Sequence, residues 1–90
     1  MTIIEQIARG EGKTLEFKEA LPASERLVKT IVAFANTGGG KILVGVKDDG
    51  TIVGIDNSAV PDYMDRIANM AHDQIHPLIA LDIYAYALRE

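Results

Sequence analysis

The stretch that decides the reading is AFANTGGGKILVGVKDDGTIVGID, residues 33–56. A glycine run ending in lysine is what a phosphate-binding loop shows, and such a loop would make the chain a nucleotide enzyme. The Walker pattern, G-x-x-x-x-G-K-[ST], lies between a strand and the helix that follows it, so that helix N-terminal amides meet the phosphates. Here Ile42 follows Gly40-Lys41 where Ser or Thr should stand, and Ala35 occupies the earlier glycine position. The order is also inverted: helix, glycines, strand. Amides at a helix C-terminus sit at the negative end of the dipole, which repels an anion. No G-x-G-x-x-G occurs either. Gly38 to Gly40 therefore read as a helix stop and a tight lead into a strand, and ATP is not expected as a cofactor.

Around DDG, KILVGVK (41–47) and TIVGI (51–55) predict the two strands of a hairpin. With Asp49-Gly50 as a two-residue turn of the primed type, Lys47 faces Ile52, Val46 faces Val53, Gly45 faces Gly54 and Val44 faces Ile55. Ile42, Val44, Val46, Val53 and Ile55 then share one face, as burial on one side of a sheet requires. A three-residue loop would pair Gly45 with Val53 and break that match. The opposed glycines leave a bare patch that another backbone or a ligand can approach.

Upstream, TIIEQIARG (2–10) has Thr2 and Glu5 in capping-box spacing and stops at Gly10, which predicts a short helix. TLEFKE (14–19) alternates, Leu15 and Phe17 to one side and Thr14, Glu16 and Lys18 to the other, as a half-buried strand does. After Pro22 and Ser24, residues Leu27, Val28, Ile31, Val32, Phe34 and Ala35 form an apolar stripe at helical spacing, stopped by Asn36 to Gly39. Downstream, Pro61 suits the first helical position, and Tyr63, Ile67, Met70, Ala71 and Ile75 trace one helix face that ends before Pro77. LDIYAYAL (81–88) predicts a last strand carrying Tyr84 and Tyr86. The fold class expected is α+β: a mixed, largely antiparallel sheet with two main helices packed on one face. A final strand with nothing over its edge points to the N-terminal fragment of a longer protein.

Ninety residues make a single small domain, of a size that buries only about 60–65% of its unfolded surface. No apolar run is long enough to cross a membrane, and no signal peptide is recognisable. With no cysteine, disulfides and thiolate metal sites are excluded, which fits a cytoplasmic protein. The net charge of −4 is unevenly placed. Residues 1–47 carry seven basic groups against five acids, and residues 48–90 carry two against eight. An overall basic footprint for nucleic acid is absent, and a local basic face in the first half remains available.

LEFKEAL (15–21) followed by KTIVAFANTGGGKILVGVKDDGTIVGID (29–56) resembles the Schlafen/Alba-like domain family. AFANTGGG, a strand, GVKDDG and IVGI are a specific combination when they follow EFK at this distance. Domains of this family occur widely in bacterial transcriptional regulators and form the core of Schlafen proteins. The resemblance spans nearly the whole chain from residue 10 to residue 90. It implies an α+β sandwich that binds nucleic acid, DNA or RNA, often ahead of a helix-turn-helix or other downstream domain of the same chain. The family's older label, a divergent AAA-type ATP-binding domain, conflicts with the loop reading above. The expected role is a DNA-binding module of a bacterial transcriptional regulator, without membrane attachment. The rivals are a metal-dependent ribonuclease and a protein-interaction or homodimerisation module, the last favoured by the acidic pI.

Schlafen nucleases resemble this chain at EGKTLEFK (11–18) and GVKDDG (45–50), where three carboxylates hold a divalent ion and RNA is cut. That resemblance gives Glu11, Glu16 and Asp48 the catalytic and metal-binding roles, with Asp49 the alternative to Asp48 and Mg²⁺ or Mn²⁺ as the ion. Acids at strand ends and in Asp-Gly turns also serve purely structural ends. For nucleic-acid binding the candidates are Lys13, Lys18, Lys41 and Lys47, with Lys18 and Lys47 ranked first for their places on strand faces. His72 and His76 have the i, i+4 spacing of a metal pair. His76 precedes Pro77, however, and falls outside the regular helix. Met64 and Met70 read as core filling, and Tyr84 and Tyr86 as a sheet face open to bases or a partner.

Overall fold

The computed structural model describes residues 2–75 and 81–87. The chain forms two compact units, Met1–Ile55 and Asp56–Glu90. The first contains α1 (Ile3–Arg9), β1 (Leu15–Lys18), α2 (Ser24–Asn36) and β2 (Lys41–Val44). The second contains a 3-10 turn (Asn57–Ala59) and α3 (Val60–Gln74). The α+β class is as expected.

The largely antiparallel sheet is not. β1 and β2 pair in parallel, from Leu15 beside Lys41 to Lys18 beside Val44. The cause is the connection: α2 carries the chain back along the sheet, so the strand after it runs the same way as the strand before it. Antiparallel pairing among the described residues is confined to two isolated bridges, Gly12 with Leu15 and Val46 with Ile52.

α1 starts on the expected capping box. The Thr2 hydroxyl oxygen accepts from the Glu5 N–H at 3.1 Å, and the Glu5 carboxylate accepts in return from the Thr2 N–H. Gly10 ends the helix at φ 83, its N–H donating to the Ile7 carbonyl. Ile7 packs with Phe17 and Val46 in a core flanked by Ile3, Leu15 and Leu43. Phe17 is its most buried member, at 1% exposure. Leu27 and Ile31 are the buried residues of α2. That helix ends where the glycines begin. Thr37 and Gly39 both donate their N–H to the Phe34 carbonyl, and Gly38 and Gly39 take φ values of 94 and 102. Gly40 lies under the Phe34 ring so closely that an added Cβ would stand 2.6 Å from it.

The hairpin differs from the expected register. Val46, not Lys47, bridges to Ile52, and the loop has three residues, Asp48, Asp49 and Gly50. The Lys47 N–H donates to the Thr51 carbonyl and the Gly50 N–H to the Lys47 carbonyl, with Gly50 at φ 90, the pattern of a turn closed by a glycine bulge. One further irregularity, at Gly45, breaks the apolar alternation. Gly45, at φ 96, puts both its own N–H and that of Val46 on the Lys18 carbonyl, and its carbonyl accepts from both Val53 and Gly54. This bulge shifts the side-chain phase by one residue. Val46 is buried, whereas Val53, expected in the core, is 46% exposed. The bulge also brings Gly45 against Gly54, where a Cβ would meet backbone atoms at 3.1 Å.

In the second unit, the Asp56 carboxylate accepts from the Ser58 N–H at 3.0 Å to open the 3-10 turn, and Pro61 sits in the first turn of α3. Met70, Ala71 and Ile75 are buried, on the face that the spacing marks out. Residues 81–87 form no strand, contrary to expectation, and Tyr84 and Tyr86 are exposed. His76 and Pro77 lie outside the described residues.

Candidate nucleic-acid interface

Parallel pairing gathers the N-terminal ends of β1 and β2 at one place. The Lys41 N–H donates to the Thr14 carbonyl at 2.8 Å, and its ammonium donates to Gln6 Oε1 at 3.0 Å, tying β2 to both β1 and α1. Lys13 lies in the turn two residues before Leu15, the strand partner of Lys41. Arg9 closes α1 at the same end. Beside these residues lies an open cleft of about 570 Å³ whose lining includes Arg9, Lys41, Gly12 and the run Gly38–Gly40, and no acidic residue. The side chains of Arg9 and Lys13 enter no ion pair among the described residues. Lys41 has a neutral partner, so its charge is not cancelled.

The other two candidate lysines are differently placed. Lys18 stands 3.7 Å from Glu16 Oε2, both side chains about one-third exposed. Lys47 is exposed but adjoins the Asp48-Asp49 loop. There the Thr51 side chain, then the Thr51 N–H and the nearby Lys47 charge, hold the Asp49 carboxyl below its ordinary range. The four lysines thus divide into an end with uncompensated cations, Lys13 and Lys41, and an end where acids neutralise part of the charge, Lys18 and Lys47. Arg9 joins the first group although its sequence context does not single it out. A basic residue in the last turn of a helix already has a reason to be there, the helix dipole.

The three carboxylates are each engaged separately. Glu11 Oε1 accepts from the N–H of Phe17 at 2.8 Å. Glu16 Oε2 is covered and receives no hydrogen bond; its neighbour is the Lys18 ammonium. The Asp48 side chain is exposed in the hairpin loop, and Asp49 accepts from the Thr51 N–H at 2.8 Å. Among the described residues no three His, Cys, Asp or Glu side chains stand close enough to hold a metal ion. Glu11, Glu16 and Asp48 as placed therefore do not fit a shared Mg²⁺ or Mn²⁺. His72 is exposed and contacts Asp73 at 3.1 Å. The Tyr84 and Tyr86 rings lie 6.3 Å apart, tilted by 49°.

Fold and cleft define a small α+β module with a β-α-β core and one basic end. Residues 11–90 match the family model described as Schlafen, AlbA_2, and the chain belongs to that family. The match begins at Glu11, so α1 and with it Arg9 lie outside it. No curated protein and no solved structure matches the chain. Family membership carries a nucleic-acid-related function. No helix among the described residues is long and apolar enough to cross a membrane.

Proposed function

We propose that the chain is the DNA-binding module of a bacterial transcriptional regulator, holding phosphates at the basic end of its β1–β2 pair. One observation carries this reading: Arg9 and Lys41 line a cleft whose lining contains no acid, and Lys13 lies in the adjoining turn before β1. On a chain of net charge −4, binding must come from such a local concentration of cations. Three phosphate contacts release about three counterions, so the log–log salt slope is about −2.7 and affinity falls roughly 40-fold between 50 and 200 mM salt. Lys18 and Lys47 contribute less, because neighbouring acids oppose a phosphate there.

A mobility-shift titration at low salt with duplex DNA, single-stranded DNA and RNA of one sequence tests the proposal. DNA retarded at least as strongly as RNA is the expected result. Preference for RNA would refute the DNA assignment. Retardation of none of the three would leave a protein-interaction module as the leading account.

A further inference from the structure

We propose that the cleft beside Arg9 and Lys41 is a subsite for one unpaired nucleotide of a single-stranded nucleic acid, with the phosphate at the two cations and the base or sugar against the glycine backbone. This rests on the nucleic-acid reading above and adds a place and a strand state to it. The cleft, at about 570 Å³, falls in the size range of small-ligand sites, about 300–1,000 Å³. It is open to solvent, so a unit of a longer polymer can enter it without the chain ends having to pass.

Charge sets the orientation. A guanidinium presents a planar fork that matches two phosphate oxygens, and an ammonium adds a compact second charge. The end of α2 opposes an anion at the glycine wall, but a helix terminus amounts to roughly half an elementary charge. Two full cations outweigh it, so the phosphate belongs at Arg9 and Lys41 and the uncharged part of the nucleotide at the glycines. That wall is bare. A Cβ built on Gly12, Gly38 or Gly39 meets nothing within 4 Å, so there is open space beside each of these residues. A flat ring or a sugar can lie on them. A base held in a duplex stack cannot leave it to do so without the cost of flipping.

Gly12 supplies a clean probe. Its φ is not in the left-handed region and its Cβ direction is open, so Gly12→Leu adds a bulky side chain at a lining residue of the cleft without backbone strain. Fluorescence anisotropy with a labelled single-stranded oligonucleotide and with its duplex, on wild type, Gly12→Leu and Arg9→Ala, is the test. The expected result is a loss of single-strand affinity of at least tenfold in Gly12→Leu at unchanged melting temperature, a salt slope shallower by about one in Arg9→Ala, and a smaller effect of Gly12→Leu on the duplex. If Gly12→Leu melts early, the Arg9→Ala slope decides. Single-strand binding that both variants leave intact overturns the subsite while the nucleic-acid reading stands, as does wild-type binding to duplex alone. Wild type that binds neither form overturns both.

Discussion

Replacing Glu11 by alanine separates a structural carboxylate from a catalytic one. Phe17 is 1% exposed and its N–H points away from β2, where the carboxylate of Glu11 receives it at 2.8 Å. Glu11→Ala leaves that donor without its charged acceptor. An unsatisfied buried N–H costs about 1–3 kcal/mol, and the charge-assisted bond it replaces lies toward the stronger end. A loss of about 2 kcal/mol lowers the melting temperature of a domain this size by roughly 8–16 °C. Glu11→Gln retains an acceptor oxygen at the same reach and should recover most of the loss. Thermal melts, combined with hydrogen exchange at the Phe17 amide, read both effects: the amide is protected in wild type and Gln and exchanges faster in Ala. A carboxylate kept for a metal behaves in the opposite way, because its removal in metal-free protein relieves charge and is neutral or stabilising. Glu11→Ala that melts with wild type and keeps the Phe17 amide protected would refute the structural assignment.

Two more outcomes follow from the loops. Gly40→Ala drives a methyl group to 2.6 Å from the Phe34 ring, and displacing that ring should cost about 1–3 kcal/mol; a urea midpoint equal to wild type would contradict the contact. Thr51, through its side chain and then its N–H, with Lys47 nearby, depresses the Asp49 carboxyl below 3.8. A carboxyl depressed by folding adds stability above its unfolded value, and that stability is lost as pH falls from 3.8 through the lower folded value. Asp49→Asn should remove this part of the acid dependence, and an NMR titration that finds Asp49 ionising at or above 3.8 would contradict it.

The local elements were legible because each has a local cause. Thr2 and Glu5 announce α1, the alternation around Phe17 announces β1, and the stripe from Leu27 to Ala35 announces α2. Sheet direction was present in the order β1, α2, β2, since a helix between paired strands favours parallel pairing; the prominent DDG motif drew attention to a hairpin instead. The register was not legible. Asp49-Gly50 suits a two-residue turn and also a three-residue loop with Gly50 at positive φ, and only the Gly45 bulge decides between them. Val53 reads as core in the first case and is exposed in the second. At the candidate site, Lys13 and Lys41 were named from sequence, but their separation from Lys18 and Lys47 depends on strand register. Arg9 joins them only through the tertiary packing of α1.

The proposal that matters most is that phosphates are held at the Lys13–Lys41 end. Its most direct test is the salt dependence of DNA binding, measured by anisotropy for wild type, for Lys13→Ala/Lys41→Ala and for Lys18→Ala/Lys47→Ala. The first double variant should bind weakly, with a log–log slope shallower by about two; the second should stay close to wild type. An unchanged slope in Lys13→Ala/Lys41→Ala, with the loss appearing in Lys18→Ala/Lys47→Ala, would place the interface at the opposite end of the strands and contradict the account.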